Sequence, residues 1–226
     1  MPLPGDQKFE AVVGESRWPM AGAVVAVIAL TLVLPGYLEI SSNIRVLPVL
    51  EAVLLVVLIF GDPGRIDRRS KALRRASVAL VLILVAGALL QTIVLAIGLI
   101  NNDSTFRTPR ALLEAAAAVW VANNIAFGLL YWEIDCGGAA ARAHRLKPHP
   151  DFAFPQQLSP EVAPDGWRPR FVDYLYLGFT NATAFSPTDV MPLTPRAKFP
   201  MLMQSLASLV LLGLVVSRAV NVLGGS

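Results

Sequence analysis

Near the C-terminus, the run Thr183-Ala184-Phe185-Ser186-Pro187-Thr188-Asp189 collects three hydroxyls and a carboxylate in a stretch with no helical or strand periodicity. Such oxygens can line a partly hydrated passage, and a ring of aspartates contributed by several subunits favours cations. The same residue types also form an ordinary turn, in which Asp189 caps the segment that follows. Downstream, Gln204, Ser208, Leu211, Val215 and Arg218 recur at spacings of three or four and share one helix face. That face could line a pathway. Alternatively, Gln204 and Ser208 hydrogen-bond to neighbouring helices while the long Arg218 side chain reaches an interface.

The elements that must position these residues follow from composition. Of 226 residues, 55% are hydrophobic and 15% charged, far from the roughly 25% charged residues of a soluble domain. The expected fold class is all-α integral membrane, with about five transmembrane helices plus a re-entrant half-helix. A bilayer core about 30 Å thick takes roughly 20 apolar residues per helix, so five such runs use about half of the chain. The first run, residues 19–38, follows a long stretch of mixed charge and ends in Leu34-Pro35-Gly36 without an A-x-A pattern. It is expected to be retained rather than cleaved as a leader.

A second span is expected over residues 46–60, short and carrying Glu51. Residues 61–77 hold Arg65, Arg68, Arg69, Lys71, Arg74 and Arg75 behind the turn signal Asp62-Pro63-Gly64, and are expected to form a basic loop. Spans over 78–100 and 111–132 are joined by Asn101-Asn102-Asp103-Ser104, which makes them antiparallel neighbours. Gln91 and Thr92 on one, and Asn123 and Asn124 on the other, fall at similar depth. They either hydrogen-bond between helices or mark a solvated path. Residues 133–170, with six prolines and several charges, are expected to be an extramembrane loop. The apolar segment 171–184 is too short to span, and 201–223 is the last span.

Lysines and arginines set the facing. If the basic loop is cytoplasmic, fifteen fall inside and three (Arg45, Arg107, Arg110) outside, with Arg218 left in the last helix. This bias places the N-terminus in the cytoplasm of a multi-pass protein of the plasma (inner) membrane. It also accounts for the net charge of +3 without nucleic acid.

A short helix, an irregular turn and a full span are the layout of a pore loop, because irregular backbone within a bilayer must be buried in protein or line a water-filled cavity. Here the residues resemble the pore domain of potassium-channel-type membrane proteins. Tyr174-Leu175-Tyr176-Leu177-Gly178-Phe179-Thr180, Thr183, Asp189 and Pro192-Leu193-Thr194 look like its pore helix, filter and exit. The run Phe127-Gly128-Leu129-Leu130-Tyr131-Trp132-Glu133 is similar to the end of an outer helix, and 201–223, with Gly213 near the middle, to an inner helix. The resemblance covers about the last half of the chain and extends to uncharacterised bacterial membrane proteins built on such a unit. It divides the chain into N-terminal helices (1–110) and a pore-like unit (111–226), and implies a homo-oligomer, a tetramer by preference.

The filter departs from that pattern. Residues 184–189 contain no glycine, and Pro187 fixes φ, so stacked carbonyl rings selective for potassium are not expected. The expected function is weakly selective conduction of monovalent cations. The alternative is a non-conducting membrane protein that keeps the pore-domain fold for structural or partner-binding purposes. No inverted repeat points to a secondary transporter. An enzyme is the least supported class, since no phosphate loop, nucleophile elbow or paired acids occur, and no cofactor is expected. Cys136, His144, His149, Asp135 and Asp151 share one loop without metal-site spacing and read as solvated. Glu114 lies near a helix N-terminus, where the dipole favours it.

Overall fold

The computed structural model describes residues 14–33, 46–66, 70–101, 103–106, 108–144, 149–183 and 189–224. It is all-α. The first four helices are α1 (Trp18–Val33), α2 (Val46–Gly61), α3 (Lys71–Ile100) and α4 (Pro109–Ile134). After the short α5 (Ala139–Ala143) and α6 (Pro155–Leu158) come α7 (Phe171–Thr183) and α8 (Pro195–Gly224). Strands have two residues each: β1 (Glu15–Ser16) pairs antiparallel with β2 (Arg65–Ile66), and β3 (Phe152–Ala153) with β4 (Met191–Pro192).

Three stretches, Lys71–Ile100, Pro109–Gly137 and Pro195–Val220, are long and apolar enough to cross a membrane. Helices α1 and α2 are equally apolar but have 16 residues each, about 24 Å against a hydrocarbon core of about 30 Å. The end of the first expected span lies outside the described residues.

Two boundaries differ from expectation. Helix α3 starts at Lys71, so Lys71, Arg74 and Arg75 belong to a helix and not to a loop. Its cap is Ser70, whose Oγ accepts from the Leu73 amide at 3.4 Å. Helix α8 starts at Pro195, six residues before its apolar run, because proline suits the first helical position. Hydropathy marks where lipid-compatible residues begin, whereas caps mark where the backbone begins to coil. Helix α4 obeys the same rule, with the Thr108 hydroxyl accepting from the Ala111 amide at 3.3 Å and Pro109 following it.

Helices α3 and α4 pack side by side, and α7 and α8 both lie against α4. Helix α7 runs antiparallel to α4. Its Phe171 ring meets Trp132 at 6.2 Å, and its Phe179 ring meets Trp120 at 5.5 Å. The two helices touch through glycines: a Cβ on Gly178 would stand 3.0 Å from the Asn124 carbonyl oxygen, and one on Gly128 would stand 3.1 Å from the Leu175 Cα. Small residues at a crossing let backbones approach closely. With 13 residues, about 20 Å of helix, α7 reaches only half-way along α4.

The chain then returns. Strand β4 pairs with β3, the Leu193 amide donates to the Asp151 carbonyl at 2.9 Å, and α8 starts at the same end of the bundle as α7. Large apolar side chains on the outer faces of α2, α3 and α8, among them Val53, Ile93, Leu202 and Val216, are exposed.

Candidate functional site

Two polar clusters hold α7 and the start of α8. The deeper one centres on Gln204 of α8, which is fully buried. Its amide oxygen accepts from the Tyr131 hydroxyl at 2.6 Å and from Asn181 Nδ2 at 2.9 Å. Its nitrogen donates to the Gly178 carbonyl at 2.9 Å and to Asn124 Oδ1 at 3.4 Å. A primary amide offers two acceptor sites and two donors, so Gln204 spends its whole capacity inside the protomer. Asn181 adds a bond to the Met201 carbonyl at 2.9 Å.

The second cluster lies at the end of the bundle where α4 stops, and sequence reasoning missed it. Asp135 and Asp151, expected to be solvated, are 1% and 3% exposed. Asp135 follows α4 directly. One carboxylate oxygen accepts from the Tyr174 hydroxyl at 2.5 Å, the other from the Asp151 amide at 2.7 Å. Asp151 in turn accepts from the Cys136 amide at 3.0 Å and from the Thr194 hydroxyl at 2.7 Å. The two carboxylates therefore fasten the first turn of α7 and the turn before α8 to the end of α4. They are reached by the chain folding back, and no local spacing in the sequence announces them.

Beside them Arg142 donates to Glu15 at 2.8 Å, to the Trp132 carbonyl at 2.7 Å and to the Asp135 carbonyl at 2.9 Å. Its guanidinium also lies over the Trp132 and Tyr174 rings, 5.6 and 5.2 Å from their centroids. Burial pulls the Arg142 pKa down, but Tyr174, Glu15 and Asp135 outweigh it and hold it above its ordinary value. For Arg142 a signal was available: it follows Trp132 and Glu133 closely at the end of an apolar run, where a charge must find a partner.

Of the residues singled out from sequence, Thr183 is exposed, with its hydroxyl turned back to donate to the Phe179 carbonyl at 3.0 Å. Asp189 is exposed, and residues 184–188 (Ala184, Phe185, Ser186, Pro187 and Thr188) lie outside the described residues. Gln204, Ser208 and Leu211 do share a face, but it points into the protomer. Leu211 packs with Leu95, Leu99 and Val119, and Val215 and Arg218 are half-buried. Among the mid-span amides, Gln91 donates to Thr31 at 3.0 Å and Asn123 to Thr92 at 3.3 Å, bonds between helices. Glu51 is buried, whereas Glu114 is exposed and paired with Arg110 at 2.7 Å.

In comparisons with known proteins, no family model, no curated protein and no solved structure matches this chain.

Proposed function

We propose that this chain is a multi-pass membrane protein of five spans (α1, α2, α3, α4 and α8), in which α7 is a re-entrant half-helix locked into its own protomer. The pore-domain-like unit then serves as a rigid membrane scaffold for partner binding and does not itself conduct. The bonding of Gln204 carries this reading. The side chain expected to face a lumen has all its donors and acceptors engaged by Tyr131, Asn181, Asn124 and Gly178. Around it, the α8 side chains that a lumen between copies would receive include Leu202, Leu206, Leu209 and Val216, all exposed. A lumen of that lining repels water, and hydrophobic constrictions close a pore by dewetting. The lysine and arginine bias supports a cytoplasmic α7 mouth, with the clamp at Asp135 and Asp151 on the same side.

A second reading, an oligomeric pore of weak cation selectivity, is favoured by the exposure of Thr183 and Asp189, which flank residues 184–188 in sequence. Reconstitution into planar bilayers separates the two. The scaffold reading expects no conductance above that of protein-free bilayers. A cation conductance that Asp189→Asn reduces would replace it with the pore.

A further inference from the structure

At the end of the bundle where α2 stops and α3 starts, a cleft of about 500 Å³ opens between those helices, α4 and α5. Its floor is apolar, with Leu58 and Trp132 buried beneath it. Its rim is cationic. Four basic side chains, Arg17, Lys71, Arg74 and Arg75, line it against two carboxylates, Asp62 and Glu133. The carboxylates are already engaged: Arg17 binds Asp62 at 3.2 Å with both side chains buried, and Arg74 pairs with Glu133, which also accepts from Ser77 at 3.0 Å. Lys71 and Arg75 are exposed and form no ion pair with a described residue.

Gly138, between the lining residues Gly137 and Ala139, gives Arg74 room. Its φ of 94° suits glycine, and a Cβ there would collide with the Arg74 guanidinium that rests against it. The Arg74 head is therefore held at the rim, while no described carboxylate answers the charges of Lys71 and Arg75. A cavity with an apolar floor and surplus positive charge at its mouth matches a group that is anionic at one end and greasy at the other.

From this we infer that the cleft binds a phosphate group, with Lys71, Arg74 and Arg75 as its ligands, and that the phosphate is carried by an anionic lipid whose chain lies on the apolar floor. Basic pockets between membrane helices at the cytoplasmic side are suited to lipid headgroups. The inference rests on the membrane reading for the source of the phosphate, but not on whether the unit conducts.

The full-length protein in a neutral detergent provides the test, by thermal unfolding and by native mass spectrometry with added phosphatidylglycerol, phosphatidylcholine or inorganic phosphate. Phosphatidylglycerol is expected to raise the unfolding temperature and remain bound, phosphatidylcholine to do neither. The double variant Lys71→Gln/Arg75→Gln, which alters two exposed side chains outside the ion pairs of the rim, should bind phosphatidylglycerol roughly thirtyfold more weakly. Arg110→Gln, at the other end of α4, should bind as the wild type does. An equal shift from inorganic phosphate keeps the site but overturns the lipid as its source. Equal binding of both lipids, which each carry a phosphodiester, overturns the preference for an anionic headgroup, and wild-type affinity in the double variant overturns the site. If the bilayer experiment fails the scaffold reading, the lipid preference is unaffected, so the two failures are distinguishable.

Discussion

The Tyr174 hydroxyl donates to Asp135 Oδ2 at 2.5 Å, joining residues 39 apart in sequence and tying the first turn of α7 to the end of α4. Both partners are buried. Tyr174→Phe leaves the ring contacts with Phe152 and Phe154 in place and removes only the donor. A hydrogen bond to a charged group is worth about 1.5–3 kcal/mol, and the carboxylate cannot recover water where it lies. The variant should lose about that much stability in denaturant unfolding from detergent micelles. Wild-type stability would mean that the α7 mouth is not clamped here.

Gln204 yields a sharper contrast. Replacing it with leucine removes one partner each from the Tyr131 hydroxyl, Asn181 Nδ2 and the Gly178 carbonyl, all buried. A buried group left unsatisfied costs about 1–3 kcal/mol, although Asn181 keeps its bonds to the Met201 carbonyl and the Tyr131 hydroxyl oxygen. A loss of about 2–4 kcal/mol in the same unfolding measurement is expected for Gln204→Leu. A residue lining a lumen would behave oppositely, with unchanged stability and altered conductance.

The sequence could show that Gln204, Ser208 and Leu211 share a face but not where that face points, because a water-filled lumen and a neighbouring polar helix both call for such residues. Direction came from partners on other helices, Tyr131 and Asn181, which hydropathy does not connect to Gln204. The end of α4 was hidden for another reason. Asp135 and Asp151 sit in a proline-rich, charged stretch that resembles a solvated loop, and their partners are distant in sequence: Tyr174 of α7 for Asp135, and Leu193 and Thr194 for Asp151. The apolar runs behind α3, α4 and α8 were legible throughout, since each is long and apolar enough to cross a membrane and hydropathy reports that directly.

The glycine crossing makes a geometric prediction. Gly178→Ala would place its Cβ 3.0 Å from the Asn124 carbonyl oxygen, a contact relieved only by shifting one backbone by a few tenths of an ångström. Overpacking of this kind costs typically 1–3 kcal/mol. Gly178→Val should push α7 off α4 altogether. Trypsin reports the change, because Arg170 is exposed immediately before α7. Cleavage there should quicken modestly in Gly178→Ala and strongly in Gly178→Val. Unchanged cleavage in Gly178→Val would mean that α7 is not held through this contact.

Arg142 and Arg110 both form ion pairs, at 2.8 and 2.7 Å, yet they should respond differently to mutation. The Arg110 side chain is 87% exposed and its pair with Glu114 spans one helical turn, so Arg110→Ala should change stability by no more than about 0.5 kcal/mol. Arg142 is 10% exposed at the side chain and reaches Glu15 and the Trp132 and Asp135 carbonyls while covering two aromatic rings. A lysine ammonium keeps the charge but has no planar fork to reach three acceptors at once or to stack on Trp132 and Tyr174. Arg142→Lys should therefore cost about 2–4 kcal/mol, and raising the salt concentration should not mask the loss, since buried pairs are screened much less than exposed ones. Unfolding curves of the two variants at low and high salt check both halves. Equal, salt-sensitive losses would show that the Arg142 cluster is no more than a surface ion pair.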